Sequence, residues 1–187
     1  MVGTTISTRQ DWSVKKFYRQ IVLSATYQQT SSASEAHISK DPNNRYLTRF
    51  PRIRLTAEQI RDQTLAVSGL LSRKMYGPSV MPPQPDGIWE VIRNVLEWKE
   101  SEGEDRYRRG LYTFMRKSSP YPMAISFDSP SREFCISRRI RTNTPLQALN
   151  TMNDTVFVEA ARALAQRMNT QENLDAQIAL GYTQVSF

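Results

Sequence analysis

The chain has one cysteine, one histidine and no long apolar run, and each scarcity closes off a class of protein. A single Cys135 excludes an intrachain disulfide and every multi-cysteine zinc or iron–sulfur site, so no metal site is expected. It lies between Phe134 and Ile136, which reads as a small buried residue rather than a nucleophile. His37 stands in a polar, Ser-rich stretch and reads as an exposed bystander, so a serine-hydrolase triad has no credible base. No apolar stretch approaches the roughly 18–20 residues a membrane span needs. There is no glycine-rich phosphate loop. The opening Met1-Val2-Gly3-Thr4-Thr5 lacks the basic and apolar regions of a secretory signal.

What is present is enough for a folded core: 39% of the 187 residues are hydrophobic and 10% are aromatic. The formal net charge is +7, and 19 of the 25 basic residues are Arg. A guanidinium is a planar fork of donors that suits carboxylate, sulfate or phosphate, and it also pairs with buried acids. Bracing the fold through Asp and Glu is therefore the default role of most of these arginines.

Periodicity predicts a mainly α, irregular helical domain with long ordered Pro-rich loops and little or no β. It reads as a single domain over 1–187. A first helix spans 11–27, with Val14, Phe17, Tyr18, Ile21 and Ala25 on one face. A polar loop follows over 28–50, with Asp41-Pro42-Asn43-Asn44 as a turn. Arg49, Arg52 and Arg54 alternate with Phe50, Ile53 and Leu55, a pattern that fits a short extended segment. A second helix spans 56–72, opened by a Thr56/Gln59 capping box, with Ala57, Ile60, Thr64, Val67 and Leu71 as its inward stripe and Leu65 and Leu70 widening it. Prolines exclude a regular helix over the segment 76–87, which reads as an ordered surface wrap.

The region 88–141 is charged. Its apolar start, 88–98, leaves helix and strand equally open. A third helix is expected from Glu104 or Asp105 to about Lys117, with Arg106, Arg108 and Arg109 outward; the stretch from Ser118 to Arg132 should be irregular. C-terminal helices fill 144–182. Thr144-Pro145-Leu146-Gln147 combines an N-cap, a Pro at the first helical position and a capping-box Gln. Asn153-Asp154 recaps a longer helix with Phe157, Val158, Ala161, Leu164, Ala165 and Met168 inward.

Three constellations are candidate sites. Arg138, Arg139, Arg141 and Asn143 precede a helix start, whose free N–H groups and partial positive charge favour an anion. Arg106, Arg108 and Arg109 sit with Glu102, Glu104 and Asp105. Asp128, Arg132 and Glu133 could pair, or the two acids could act as general acid and base in glycoside cleavage. Trp89, Trp98, Tyr107, Tyr112 and Tyr121 form either a sugar platform or, by default, core. The helix pair around Asn153-Asp154 presents Glu159 and alanines where base-reading side chains would be needed, so nucleic acid is not the expected partner.

Several stretches, in order, resemble one family. They are Trp12-Ser13-Val14-Lys15-Lys16 with Ile21-Val22-Leu23-Ser24-Ala25-Thr26-Tyr27, then Arg54-Leu55-Thr56-Ala57-Glu58-Gln59-Ile60-Arg61-Asp62 and Gly77-Pro78-Ser79-Val80. Next come Gly103-Glu104-Asp105-Arg106-Tyr107-Arg108-Arg109 and Phe127-Asp128-Ser129-Pro130-Ser131-Arg132-Glu133. Last are Arg141-Thr142-Asn143-Thr144-Pro145-Leu146-Gln147-Ala148-Leu149 and Asn153-Asp154. Together they resemble the C-terminal domain of unknown function of planctomycete cytochrome c domain-containing proteins.

The resemblance implies a piece of a longer exported protein, periplasmic or at the cell surface, in bacteria that degrade complex and often sulfated polysaccharides. Any haem would sit in another part of that protein, because this chain has no Cys-x-x-Cys-His; no cofactor is expected here. The resemblance carries no catalytic residues. The expected role is a non-catalytic accessory domain that binds a partner domain or an anionic polysaccharide through arginines. The rival is a carbohydrate-active enzyme using Asp128, Glu133 or Glu104 with an arginine clamp.

Overall fold

A computed structural model describes residues 11–88 and 97–185, which fall into two compact units, Met1–Arg54 and Leu55–Phe187. Seven α-helices and no strand occur among the described residues, so the chain is mainly α.

In the first unit, α1 (Val14–Val22) starts at the Ser13 cap and α2 (Glu35–Lys40) at the Ser34 cap. The first helix ends five residues short of the expected Tyr27, and its apolar stripe is not buried: Val14, Tyr18 and Ile21 are exposed. The expected turn is present as a knot around buried Asp41, which accepts from the N–H groups of Arg45 (2.8 Å) and Tyr46 (2.9 Å). Burial raises the Asp41 pKa, but those backbone donors outweigh it and hold the carboxyl below its ordinary value. Arg49 closes the knot by donating to the carbonyls of Asp41 and Pro42, both at 2.9 Å. The alternating segment after it is not a strand, and Pro51 to Leu55 are exposed.

In the second unit, α3 (Ala57–Ser68) carries the expected capping box and ends on Gly69, whose φ of 82° needs glycine. Its buried face is Ala57, Arg61, Leu65 and Ser68; Ala57 and Leu65 are expected there, Arg61 and Ser68 are not, and Ile60, Thr64 and Val67 are only half-buried. Arg167 lies over Gly69 and donates to the carbonyl of Val67, placing a cation at the negative end of α3.

The helix expected over 104–117 does not form. Two 3-10 turns, Gly103–Tyr107 and Gly110–Tyr112, replace it. The chain there pairs sideways with distant loop, Ser72 donating to Tyr107 O at 3.0 Å and Val80 to Tyr112 O at 2.8 Å. Gly110 explains the tight course: a Cβ there would lie 3.0 Å from Glu58 Cα. The segment 76–87 is ordered but not a surface wrap throughout, since Val80, Pro82 and Pro83 are buried. Trp89 and its neighbours up to Leu96 lie outside the described residues.

The stretch from Ser118 to Arg132 contains a short helix, α4 (Pro122–Ser126), and supplies much of the core. Tyr121, Met123 and Phe127 pack with Ala57 and Phe157, and Trp98 stacks on Tyr121 at 5.9 Å with the rings 2° from parallel. Helix α5 (Pro145–Asn153) has the expected capping box, and Asp154 caps α6 (Thr155–Met168). The buried residues of α6 are Val156, Phe157 and Ala160, whereas Ala161 and Ala165 are exposed. Apolar residues run almost all round this helix, so periodicity does not single out one face. A last helix, α7 (Leu174–Val185), packs Gly181 against Met168.

Candidate functional site

The arginines divide into internal braces and surface residues. Arg61 is 2% exposed and donates from Nε to Arg108 O (3.3 Å) and from Nη2 to Arg106 O (2.9 Å). Burial pulls its pKa below the ordinary guanidinium value. Arg108, expected outward, is 1% exposed; it donates to the carbonyls of Pro78 (3.0 Å) and Tyr76 and lies 3.7 Å over the Tyr112 ring. Arg108 is thus expected as a charged, outward member of the second constellation, and the structure buries it instead; the sequence does not single out Arg61 as a site residue. The one signal for Arg61 is its place between Ala57 and Leu65 at four-residue steps.

Of the second constellation, Arg106 is half-buried between Glu100 (2.9 Å) and Glu159 (3.2 Å), and the Tyr107 hydroxyl donates to Glu159 at 2.7 Å. That bond to Glu159, with burial, raises the Tyr107 pKa. Arg109 is half-buried, with its carbonyl accepting from Tyr112. Glu104 accepts from Ser72 at 2.7 Å and Asp105 pairs with Lys74 at 2.9 Å.

The third constellation is spread along one loop. Asp128 accepts from the Thr142 N–H at 2.6 Å, from its hydroxyl at 2.8 Å and from Gln147 at 3.3 Å. It thereby supplies a carboxylate, from within the chain, to the stretch before α5. Arg132 and Glu133 are exposed, and both Asp128 and Arg132 have positive φ (60° and 62°). Arg139 reaches away to Glu58 at 2.8 Å. Burial alone would raise the Glu58 pKa, but the Arg139 hydrogen bond and charge hold it below the ordinary value of 4.5. Arg138, Arg141 and Asn143 are exposed. The structure thus brings Asp128 to Thr142 and Gln147, and does not gather the three arginines of the first constellation at one point.

Three cavities accompany these residues. One of about 560 Å³ lies in the first unit between Ser31 and Arg52. A groove of about 390 Å³ is walled by Ile60, Thr64, Val67, Phe157, Ala161 and Leu164, so much of the stripes expected on α3 and α6 lines it, while Ala57 and Phe157 belong to the core. A third, of about 50 Å³, lies beside Arg61 and has Arg132 in its wall. None of the carboxylates Asp128, Glu133 and Glu104 lines any of them. Of the aromatic residues, Tyr121 is buried in the core, and Trp98 donates to Pro82 O at 2.9 Å while stacked on it. Cys135 is exposed, contrary to the reading from its apolar neighbours, because the whole loop 131–138 stands in solvent. Among the described residues no group of three or more His, Cys, Asp or Glu is placed to hold a metal, and no helix is long and apolar enough to cross a membrane.

No curated protein and no solved structure matches the chain. A family model does match, over residues 6–186, and the chain belongs to that family: PSD1, described as a protein of unknown function (DUF1553).

Proposed function

We propose that this chain is a non-catalytic docking domain of an exported, multidomain cytochrome-type protein, and that it holds a partner domain rather than transforming a substrate. The observation that carries the reading is an uncovered apolar side of α5: Leu146, Leu149 and Met152 are exposed, Met152 by 75%. The loop leading into α5 adds exposed Phe134, Ile136 and Ile140. Arg132, Arg138 and Arg141 are interspersed among them in sequence and are exposed as well. Apolar residues mixed with arginine are the composition of a protein interface, and a net charge of +7 favours an acidic partner face. An enzyme would need acids converging on a cavity, and the candidate acids are instead engaged with Thr142 and Ser72 or exposed.

In this reading the domain works in the periplasm or at the cell surface. The haem belongs to another part of the parent, since one cysteine and one histidine do not supply two thioether links and an axial ligand. The test is calorimetric titration of this chain with the rest of the parent protein produced separately. Leu149→Asp and Met152→Asp should each weaken binding at least about tenfold, roughly the loss of one well-buried apolar side chain, with unchanged unfolding midpoints. Binding to sulfated or uronic polymers that ignores both substitutions would instead favour polysaccharide recognition through arginines. No binding to either class would refute the docking reading.

A further inference from the structure

The cavity of about 50 Å³ beside Arg61 has an unusual wall. Its lining includes Ala57, Arg61, Gly110, Thr113, Tyr121 and Arg132, with Glu58 at the edge. Two of these residues carry a fully buried polar atom with no partner, Nη1 of Arg61 and Oγ1 of Thr113. Arg61 spends its Nε and Nη2 on the carbonyls of Arg108 and Arg106, so the spare Nη1 is held in place by the rest of its own fork.

Opposite charge reaches it only from a distance, from Asp62 and Asp154. No carboxylate lies within ion-pair distance of Arg61 among the described residues. The acids nearby keep their charge but make their hydrogen bonds and ion pairs to other groups, so none of them meets Nη1. Asp62 accepts from the Gly110 N–H at 2.6 Å, Asp154 accepts from Val156 at 2.9 Å, and Glu58 pairs with Arg139 at 2.8 Å. A buried cation with a donor to spare is costly unless something negative meets it. Both unpartnered groups can donate, so the occupant they suit is one that accepts on both sides at once, as a small anion does.

We propose that this cavity is a binding site for one small monovalent anion of chloride or carboxylate size, held between Arg61 Nη1 and the Thr113 hydroxyl. A water needs at least about 10–15 Å³ of such space, so the volume admits about three waters or one such anion and excludes a sugar ring. Arg132 in the wall adds a second positive charge on the entry side. Arg132 is the one residue shared with the docking surface, and Thr113, Leu149 and Met152, the residues varied in the two tests, are not shared, so either reading can fail without the other.

The carboxylate form of the ligand has two sources, a free small acid or a glutamate side chain of a polypeptide. Arg61 itself is a poor test variant because it holds two loop carbonyls. Thr113→Val instead removes one donor at nearly constant volume. The experiment follows the thermal midpoint of the full chain at fixed ionic strength in sodium chloride, formate, acetate or gluconate, gluconate being too large to enter. A ligand bound only by the folded state raises the midpoint saturably. The expected result is a saturable rise with chloride, formate and acetate, none with gluconate, and an apparent affinity at least about fivefold weaker in Thr113→Val, the direction a lost donor requires. A rise of equal size in all four salts, no rise in any, or a small-anion response untouched by Thr113→Val would each overturn the proposal. A blocked tetraglutamate peptide acting at lower concentration than acetate assigns the carboxylate to a polypeptide; the reverse order assigns it to a free acid.

Discussion

Replacing Arg108 tests whether arginine, rather than a sheet, ties the loops of the second unit together. Its guanidinium donates to Pro78 O at 3.0 Å and to Tyr76 O, and it stacks 3.7 Å over Tyr112. Hydrogen bonds to a charged group contribute about 1.5–3 kcal/mol each, and a desolvated cation–π contact about 2 kcal/mol. Against this stands the cost of burying the charge at 1% exposure with Nε unpartnered. Removing one member of a buried charged arrangement typically costs about 3–5 kcal/mol, and Arg108→Met should fall there. That is a large part of the roughly 5–15 kcal/mol a domain has. Arg108→Lys keeps the charge, yet one ammonium cannot hold two carbonyls and lie flat on a ring, so at least about 2 kcal/mol should be lost. Urea unfolding followed by circular dichroism gives the magnitude. Hydrogen exchange gives the place: the amides of Ser72, Val80 and Phe114, which bridge the same loops, should lose protection first. An Arg108→Met variant within about 0.5 kcal/mol of the parent, the range of ordinary surface substitutions, would refute the reasoning.

Gly110→Ala puts a Cβ 3.0 Å from the α3 backbone at Glu58, so it should destabilise by about 1–3 kcal/mol in chemical denaturation. Ala160→Leu overpacks the buried side of α6 and should cost about as much, whereas Ala161→Leu enters an open groove and should change stability by less than about 0.5 kcal/mol. Equal effects of the two leucines would mean that the α6 face is misassigned. Glu58 has its folded pKa depressed chiefly by Arg139 against the opposing effect of burial, so its stabilisation is present above the ordinary value of 4.5 and fades as pH falls below it. Glu58→Gln should therefore flatten part of the acid limb of a stability–pH curve, and an unchanged limb would show that the pair contributes nothing.

Local signals in the sequence located the starts of α1, α3, α5 and α6, but missed the short helices α2 and α4, which lie in stretches read as loop. Thr56 with Gln59, and Thr144 with Pro145 and Gln147, are caps whose two partners lie three residues apart, so spacing alone defines them, and both boxes form. Asp154 is likewise a local cap. Helix faces were less legible. On α3 the buried register contains Arg61, which a hydrophobic pattern assigns to solvent, and on α6 the apolar residues run almost all round. The region 103–114 was the least legible. Tyr107, Leu111, Phe114 and Met115 have helical spacing, but this backbone pairs with Ser72 and Val80, and Gly110 presses on Glu58, contacts that no window of sequence contains. The candidate site shows the same division. Asp128 was visible as a charged loop residue, but its tie to Thr142 and Gln147 was not, and Arg61 hid inside a helix.

The excess of Arg over Lys follows from the architecture. Prolines and long loops leave carbonyls without ladder partners, and a buried carbonyl needs a donor. With no strand among the described residues, side chains supply many of those donors. Arg61 serves Arg106 and Arg108, Arg108 serves Tyr76 and Pro78, Arg49 serves Asp41 and Pro42, and Arg167 serves Val67. Trp98 and Tyr121 do the same for Pro82 and Pro83, one carbonyl each. Only a guanidinium can serve two carbonyls at once while its flat face packs on a ring, as Arg108 does on Tyr112. Lysine's ammonium has three donors but no flat face to lay on a ring. Three of these four arginines serve two carbonyls each, so a composition that suggests anion binding is in part a by-product of a fold without sheets. The inference of ligand binding therefore belongs to donors the fold does not use, and Nη1 of Arg61 is a buried one.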